Sequence, residues 1–212
     1  MNILIPLKTK MKIVGIIIFA FITPWLHGQQ IWPPKIKFSI DSTIRPAIDQ
    51  SIAKGEYAAL PTLDLQMFVN NEEVINTFEK EKKVQFLTQA YYERDTLYIL
   101  GFIGMFSGVG FYLDLYGDSS RVTLYATTDG PEVYKLNETD TTYQRGLSVP
   151  AKSCNLTLTK VPEYKEGEIV EGLVTLDSRE FYSKSHKEQR DDKIQAKISA
   201  YFRTEPIHLP KK

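Results

Sequence analysis

Apolar and polar residues alternate along most of this chain. The clearest run comes last, where the apolar residues Ile194, Ala196, Ile198, Ala200 and Phe202 alternate with mostly polar ones. Successive side chains of a β-strand point to opposite faces of the sheet, so this alternation predicts a half-buried strand. Similar runs lie at residues 36–40, 63–69, 84–90, 122–126, 156–158 and 170–176.

Turn-forming residues separate these runs at short intervals. They include Glu93-Arg94-Asp95, Tyr116-Gly117-Asp118, Asp129-Gly130-Pro131 and Lys165-Glu166-Gly167. Short strands at this spacing are typical of antiparallel sandwiches and barrels. We therefore predict a mainly β fold, a single antiparallel β-sandwich or barrel-like domain with one or two short helices.

Two segments favour those helices. The first has Ser42 as its cap, places Ile44 and Ile48 on one face, and ends at Gly55. The second begins at Asn71, with acidic residues in its first turn and lysines near its end. A β-hairpin that turns at Asn70-Asn71 is the alternative for this second segment.

The N-terminus has the pattern of a secretory leader. Three lysines between residues 8 and 12 precede an uninterrupted apolar run at 13–22, and the small residue Gly28 follows. We predict that 1–28 is a cleavable signal peptide and that 29–212 is a single exported domain, periplasmic, cell-surface or extracellular. A retained N-terminal anchor is the alternative interpretation.

Charge and cysteine content narrow the function classes. The chain has 26 basic and 26 acidic residues, and loss of the leader's three lysines leaves 23 basic against 26 acidic. This near balance predicts no nucleic-acid partner. The one cysteine, Cys154, can form no disulfide within the chain.

An apolar, glycine-containing stretch runs from Tyr98 to Tyr116. Its uncharged part is about fifteen residues long, short of the roughly twenty that a helical membrane span needs, and we predict no span in the mature chain. In one interpretation the stretch is a ligand-facing hairpin whose pocket is lined by Phe106, Phe111 and Tyr112. In the other it is a strand pair buried on both faces at the sheet centre, whose glycines accommodate sheet curvature or the packing of a helix. We favour the buried pair because aromatic residues at strand spacing are usually core.

The chain offers little for catalysis. After the leader its histidines are His186, in a charged stretch, and His208, near the end. Neither histidine is predicted to lie on the rigid scaffold that a nucleophile–histidine site requires. Cys154 is better explained as a small buried residue than as a nucleophile. The run that contains His186, Glu188, Asp191 and Asp192 predicts a solvated loop rather than a metal site. We predict no catalytic residue, metal or cofactor.

Short modification motifs also occur. Formal N-glycosylation acceptors lie at Asn137-Glu138-Thr139 and Asn155-Leu156-Thr157. Three further segments resemble the acceptor Asp-Ser/Thr-apolar-or-Thr that some bacteria use to O-glycosylate exported proteins, namely Asp41-Ser42-Thr43, Asp95-Thr96-Leu97 and Asp140-Thr141-Thr142.

The sequence leaves two function classes open. The first is an exported non-enzymatic binding or interaction module whose partner is an unidentified protein, glycan or apolar ligand. The second is a carbohydrate-active or other hydrolase that uses carboxylates on β-strands, with Asp64, Asp114 and Glu180 as candidates. Two facing carboxylates in a deep cleft would favour the hydrolase.

Overall fold

A computed structural model describes residues 33–53, 62–76, 86–103, 107–165, 167–185 and 190–208. The strands in chain order are β1 Ile36–Lys37, β2 Ser39–Ile40, β3 Thr62–Val69, β4 Glu72–Asn76, β5 Phe86–Glu93, β6 Thr96–Ile103, β7 Gly108–Tyr116, β8 Ser119–Thr127, β9 Tyr134–Lys135, β10 Gly146–Leu158, β11 Val170–Ser178, β12 Phe181–Ser183, β13 Asp192–Ile194, β14 Ala196–Thr204 and β15 Ile207–His208. One α-helix, α1, spans Arg45–Ala53 and follows a 3₁₀ turn at Ser42–Ile44.

Most strands form one large sheet that curls into a half-barrel. Its order is β15-β5-β6-β7-β8-β10-β11-β14-β3-β4, with β1 added beside β8 and β2 beside β10. The pairings are antiparallel except those of β2 with β10 and of β15 with β5. A small second sheet has the order β13-β12-β9. The predicted mainly β, antiparallel, barrel-like class is confirmed.

The long strand β10 makes the sheet turn. Its residues 146–150 pair with β8, whereas 151–158 pair with β11. The register shifts between Ala151 and Ser153, where one extra residue is accommodated. Such a bulge bends a strand and increases its twist. Both halves of the sheet therefore share β10, and β5 approaches β3 and β14 across the interior.

Two phenylalanines meet between the halves. Phe111 on β7 and Phe202 on β14 are fully buried, with ring centroids 6.2 Å apart. Each lies opposite a glycine of the neighbouring strand, Gly101 for Phe111 and Gly172 for Phe202. A Cβ atom at Gly101 would stand 2.5 Å from the Phe111 ring, and one at Gly172 would stand 2.9 Å from the Phe202 ring. These two glycines make room for core rings. The predicted burial of this stretch on both faces is wrong, because the outward residues of β6 and β7, among them Tyr98 and Tyr112, remain partly exposed.

The segment after Asn70 forms a hairpin and not the second predicted helix. Asn70 and Asn71 have φ values of 50° and 68°, the left-handed conformation that a two-residue hairpin turn needs and that asparagine tolerates. The turn joins β3 to β4, and Ile75 packs against the core. The charge order that favours a helix at this site is overridden by this turn.

The first predicted helix is present, with a different cap. Asp41 rather than Ser42 caps its 3₁₀ turn, because the Asp41 carboxylate accepts a hydrogen bond from the Thr43 backbone N–H at 2.8 Å. Ile48 is fully buried and holds the helix against β3, β11 and β14. Arg45 Nε also donates to Glu171 Oε2 at 3.1 Å. Gly55 lies outside the described residues.

We expect truncation of Phe111 to cost much more stability than truncation of its neighbour. Phe111→Ala removes a buried ring from the contact between the two halves, and large-to-small aromatic changes in a packed core cost about 3–5 kcal/mol. Tyr112→Ala serves as the matched control because Tyr112 is partly exposed on the opposite face. Urea unfolding of both variants measures the difference. A loss for Phe111→Ala no greater than that for Tyr112→Ala would contradict the core assignment.

Candidate functional site

The outer face of strands β5 to β8 carries an unusual set of aromatic side chains. Along these strands, buried inward residues alternate with outward residues that remain partly exposed. We use the name aromatic face for the outward set Tyr91, Tyr98, Leu100, Phe102, Tyr112, Asp114, Arg121 and Tyr125.

The strand register places polar groups among the rings. Tyr98 lies opposite Tyr91 on one side and opposite Asp114 on the other. Asp114 in turn lies opposite Arg121 of β8. One row across four strands therefore presents two tyrosines, a carboxylate and a guanidinium. Directly opposed residues on one sheet face have Cβ atoms about 4.5–5.5 Å apart.

The rings hold one another in fixed orientations. Tyr91 and Tyr98 are stacked, with centroids 4.9 Å apart and an interplanar angle of 16°. Tyr112 meets Tyr125 edge-on at 5.0 Å, and Phe102 lies 6.0 Å from Tyr125. Such offset and edge contacts suit the charge distribution of aromatic rings. The face thus presents an ordered surface rather than a set of independently moving side chains.

Burial sets the protonation states on this face. It raises the pKa of Tyr91 to about 12 and also raises the pKa values of Tyr98 and Tyr112. Tyrosine hydroxyls are protonated at neutral pH even at their ordinary pKa of 10.0, so these three can donate hydrogen bonds. Burial also raises the pKa of Asp114, an effect that the charge of Arg121 opposes.

A cation–aromatic contact borders the face. The Arg121 guanidinium lies 5.5 Å from the centroid of the Tyr116 ring, and Lys35 Nζ lies 4.7 Å from the same centroid. Cations favour this position because the face of an aromatic ring is electron-rich. The contact helps to hold Arg121 in its place in the row, opposite Asp114.

The structure separates Phe111 from Tyr112, two of the three residues that the sequence suggests as pocket-lining. Phe111 is fully buried in the core, whereas the next residue, Tyr112, belongs to the aromatic face. Consecutive strand residues point to opposite sides of a sheet, so these two cannot line one pocket. Phe106 lies outside the described residues. Tyr98 and Phe102 of β6 also belong to the aromatic face, but the sequence of this strand is apolar on both faces and does not single them out.

The candidate carboxylates of a hydrolase do not converge. Asp114 on β7 and Asp64 on β3 are five strands apart in the sheet order. Each alternates with buried apolar residues of its own strand, so both side chains point away from the interior between the two halves. Glycoside hydrolases need two carboxyl groups within about 5–9.5 Å of each other. Glu180 is exposed, and its Oε1 pairs with Lys193 Nζ at 2.7 Å.

The other candidate residues have structural surroundings. Asp191 pairs with Lys135 Nζ at 2.7 Å and accepts from the Tyr143 hydroxyl at 2.8 Å, while His186 and Glu188 lie outside the described residues. No group of three or more metal-ligating side chains occurs in the described part of the chain. Cys154 borders a shallow groove of about 280 Å³, and burial raises the pKa of its thiol. A raised thiol pKa disfavours the reactive thiolate.

Comparisons with known proteins add nothing to these observations. The chain matches no family model, no curated protein and no solved structure. Within the described ranges, no helix is long and apolar enough to cross a membrane. Any functional conclusion therefore rests on the surface chemistry itself.

We expect Asp114→Asn to stabilise the fold near neutral pH. A pKa raised in the folded state means that folding favours the protonated acid, so this favourable contribution is lost as the pH rises through the folded pKa. Asparagine never carries the costly charge. Thermal melts should show a higher Tm for the variant at neutral pH, and the gain should shrink as the pH approaches 3.8, the ordinary value for aspartate.

Asp118→Asn is the matched control for this comparison. A hydrogen bond from Ser119 and the charge of Lys37 lower the pKa of Asp118, which is exposed on the turn after β7. Its replacement should give no gain at neutral pH. Equal gains for the two variants would contradict an effect specific to the half-buried carboxyl of Asp114.

Proposed function

We propose that this domain is an exported, non-enzymatic binding module that holds a neutral glycan chain on the aromatic face. The observation that carries the proposal is the set of five partly exposed rings, Tyr91, Tyr98, Phe102, Tyr112 and Tyr125, with the polar side chains of Asp114 and Arg121 next to them.

The chemistry of the face matches that of a sugar ring. A sugar presents C–H groups on its faces and hydroxyls around its edge. The C–H groups pack on aromatic rings, whose faces are electron-rich. The hydroxyls can exchange hydrogen bonds with tyrosine hydroxyls, the carboxylate of Asp114 and the guanidinium of Arg121. A purely apolar partner would instead bury these polar groups without compensation, which is costly.

The charge on the face favours a neutral glycan over a polyanion. Asp114 lies in the middle of the row of opposed residues, and Arg121 faces it from the next strand. These opposite charges leave no concentrated positive field of the kind that attracts nucleic acid. Because the rings are spread over four adjacent strands, the surface suits an extended chain better than a small enclosed ligand.

We expect Tyr98→Ala to weaken glycan binding. Tyr98 stacks on Tyr91 and lies opposite Asp114, so its loss removes one ring and loosens the other. An aromatic contact worth about 0.5–1.5 kcal/mol corresponds to roughly two- to twelvefold in affinity. An array of neutral oligosaccharides selects the probe, and calorimetry with that oligosaccharide measures the dissociation constant.

Phe68→Ala is the control for this experiment. Phe68 is a partly exposed aromatic residue on β3, in the other half of the sheet. Its loss should leave the dissociation constant unchanged. The proposal is wrong if no neutral oligosaccharide binds, or if Phe68→Ala and Tyr98→Ala weaken binding equally. Circular dichroism of both variants checks that the fold is retained.

We expect the exported protein to begin near Gln29. The lysines and the apolar run that precede Gly28 have the composition that a signal peptidase pathway recognises. Intact-mass measurement of the protein recovered outside the cytosol reports its first residue directly. A recovered chain that begins at Met1 or Met11 would contradict the cleavage.

A further inference from the structure

The three Asp-Ser/Thr motifs lie in different structural settings. In Asp41-Ser42-Thr43, Ser42 is exposed in the 3₁₀ turn before α1. In Asp140-Thr141-Thr142, Thr141 is exposed in the loop between β9 and β10. In Asp95-Thr96-Leu97, Thr96 is half-buried as the first residue of β6. Three segments that match the same sequence motif therefore differ in the exposure of their hydroxyl residue.

Ser42 is exposed, and the residues on either side of it are hydrogen-bonded to each other. The Asp41 carboxylate accepts hydrogen bonds from the Thr43 backbone N–H at 2.8 Å and from the Thr43 hydroxyl at 2.6 Å. These bonds tie the flanking residues to each other. The hydroxyl of Ser42 makes no hydrogen bond with any described residue, so no internal contact has to be broken before it reacts.

Hydrogen bonds also hold the loop that carries Thr141. The Asp140 carboxylate accepts from the Asn137 backbone N–H at 2.8 Å, and the Asp140 carbonyl accepts from Lys135 Nζ at 3.2 Å. Lys135 is itself buried, which fixes the loop to the domain. The Thr141 hydroxyl has no hydrogen-bond partner among the described residues.

Thr96 has the opposite surroundings. Its side chain is half-buried, and it pairs with Glu93 in the β5–β6 hairpin. A transferase must enclose the acceptor hydroxyl together with its neighbours, which is possible on an exposed turn or loop and is hindered within a paired strand.

From these differences we propose that Ser42 and Thr141 are O-glycosylation sites, whereas Thr96 remains unmodified. The hydroxyl oxygen attacks the anomeric carbon of a sugar carried on a lipid diphosphate. The new C–O bond forms as the sugar–phosphate bond breaks, the diphosphate leaves with the electron pair, and the hydroxyl proton passes to a base of the transferase. The inference depends on the export part of the proposed function but not on the aromatic face.

Site-localising peptide mass spectrometry tests this proposal. The full chain is purified from the cells that naturally export it and, for comparison, from the cytosol of a host without such a transferase. We expect sugar mass on the Ser42 and Thr141 peptides of the exported protein and none on the Thr96 peptide. S42A and T141A should each remove one glycan from the intact mass, and the control T96A should remove none.

The intact mass also reports the first residue and so distinguishes the possible failures. A chain that begins near Gln29 with Ser42 or Thr141 unmodified overturns the assignment of that site and leaves export standing. Sugar on Thr96 overturns the argument from exposure. A chain that begins at Met1 and carries no sugar overturns both export and modification.

Discussion

The contact between Phe111 and Phe202 is the constraint on which the architecture depends. One ring comes from each half of the curled sheet, and each occupies space left by a glycine of the adjacent strand, Gly101 or Gly172. The bulge in β10 turns the sheet, and the ring contact fixes how closely the two halves approach. Because the inward residues of the central strands are packed in this way, they are unavailable to a ligand, and the proposed binding surface lies on the outer face.

The same strands therefore serve the core and the proposed binding surface. In β7, Phe111 anchors the strand from within while Tyr112 and Asp114 face outward. β7 is hydrogen-bonded to a strand on each side, β6 and β8. These bonds fix the backbone from which its outward side chains extend. A site built on strands keeps its geometry better than one built on loops. Stacking on the aromatic face depends on ring orientation, so it requires strands whose backbone is held in place.

The sequence predicts this fold better than it predicts the site. Alternation identifies most of the strands because each buries one face. The bend in β10 is harder to predict. Its only trace in the sequence is that the apolar residues stand at odd positions before the bulge, Leu147 and Val149, and at even positions after it, Leu156 and Leu158. The strand β6 is largely apolar on both faces, so periodicity cannot tell Tyr98 and Phe102 from core residues. The exposure of Ser42 and Thr141 depends on turns and pairings that the shared motif does not encode.

Two carboxylates, the half-buried Asp114 and the buried Glu168, have contrasting surroundings. Burial raises the pKa of Glu168, but hydrogen bonds from the Glu163 backbone, the Tyr92 hydroxyl and Lys160 outweigh this effect and lower it below the ordinary value. Its charge is thus stabilised from several sides and ties a loop to β5. Asp114 makes no hydrogen bond within the described residues, and its pKa stays raised despite Arg121. Its place among aromatic rings, without a hydrogen-bond partner in the described residues, is what makes Asp114 a candidate for contact with a ligand.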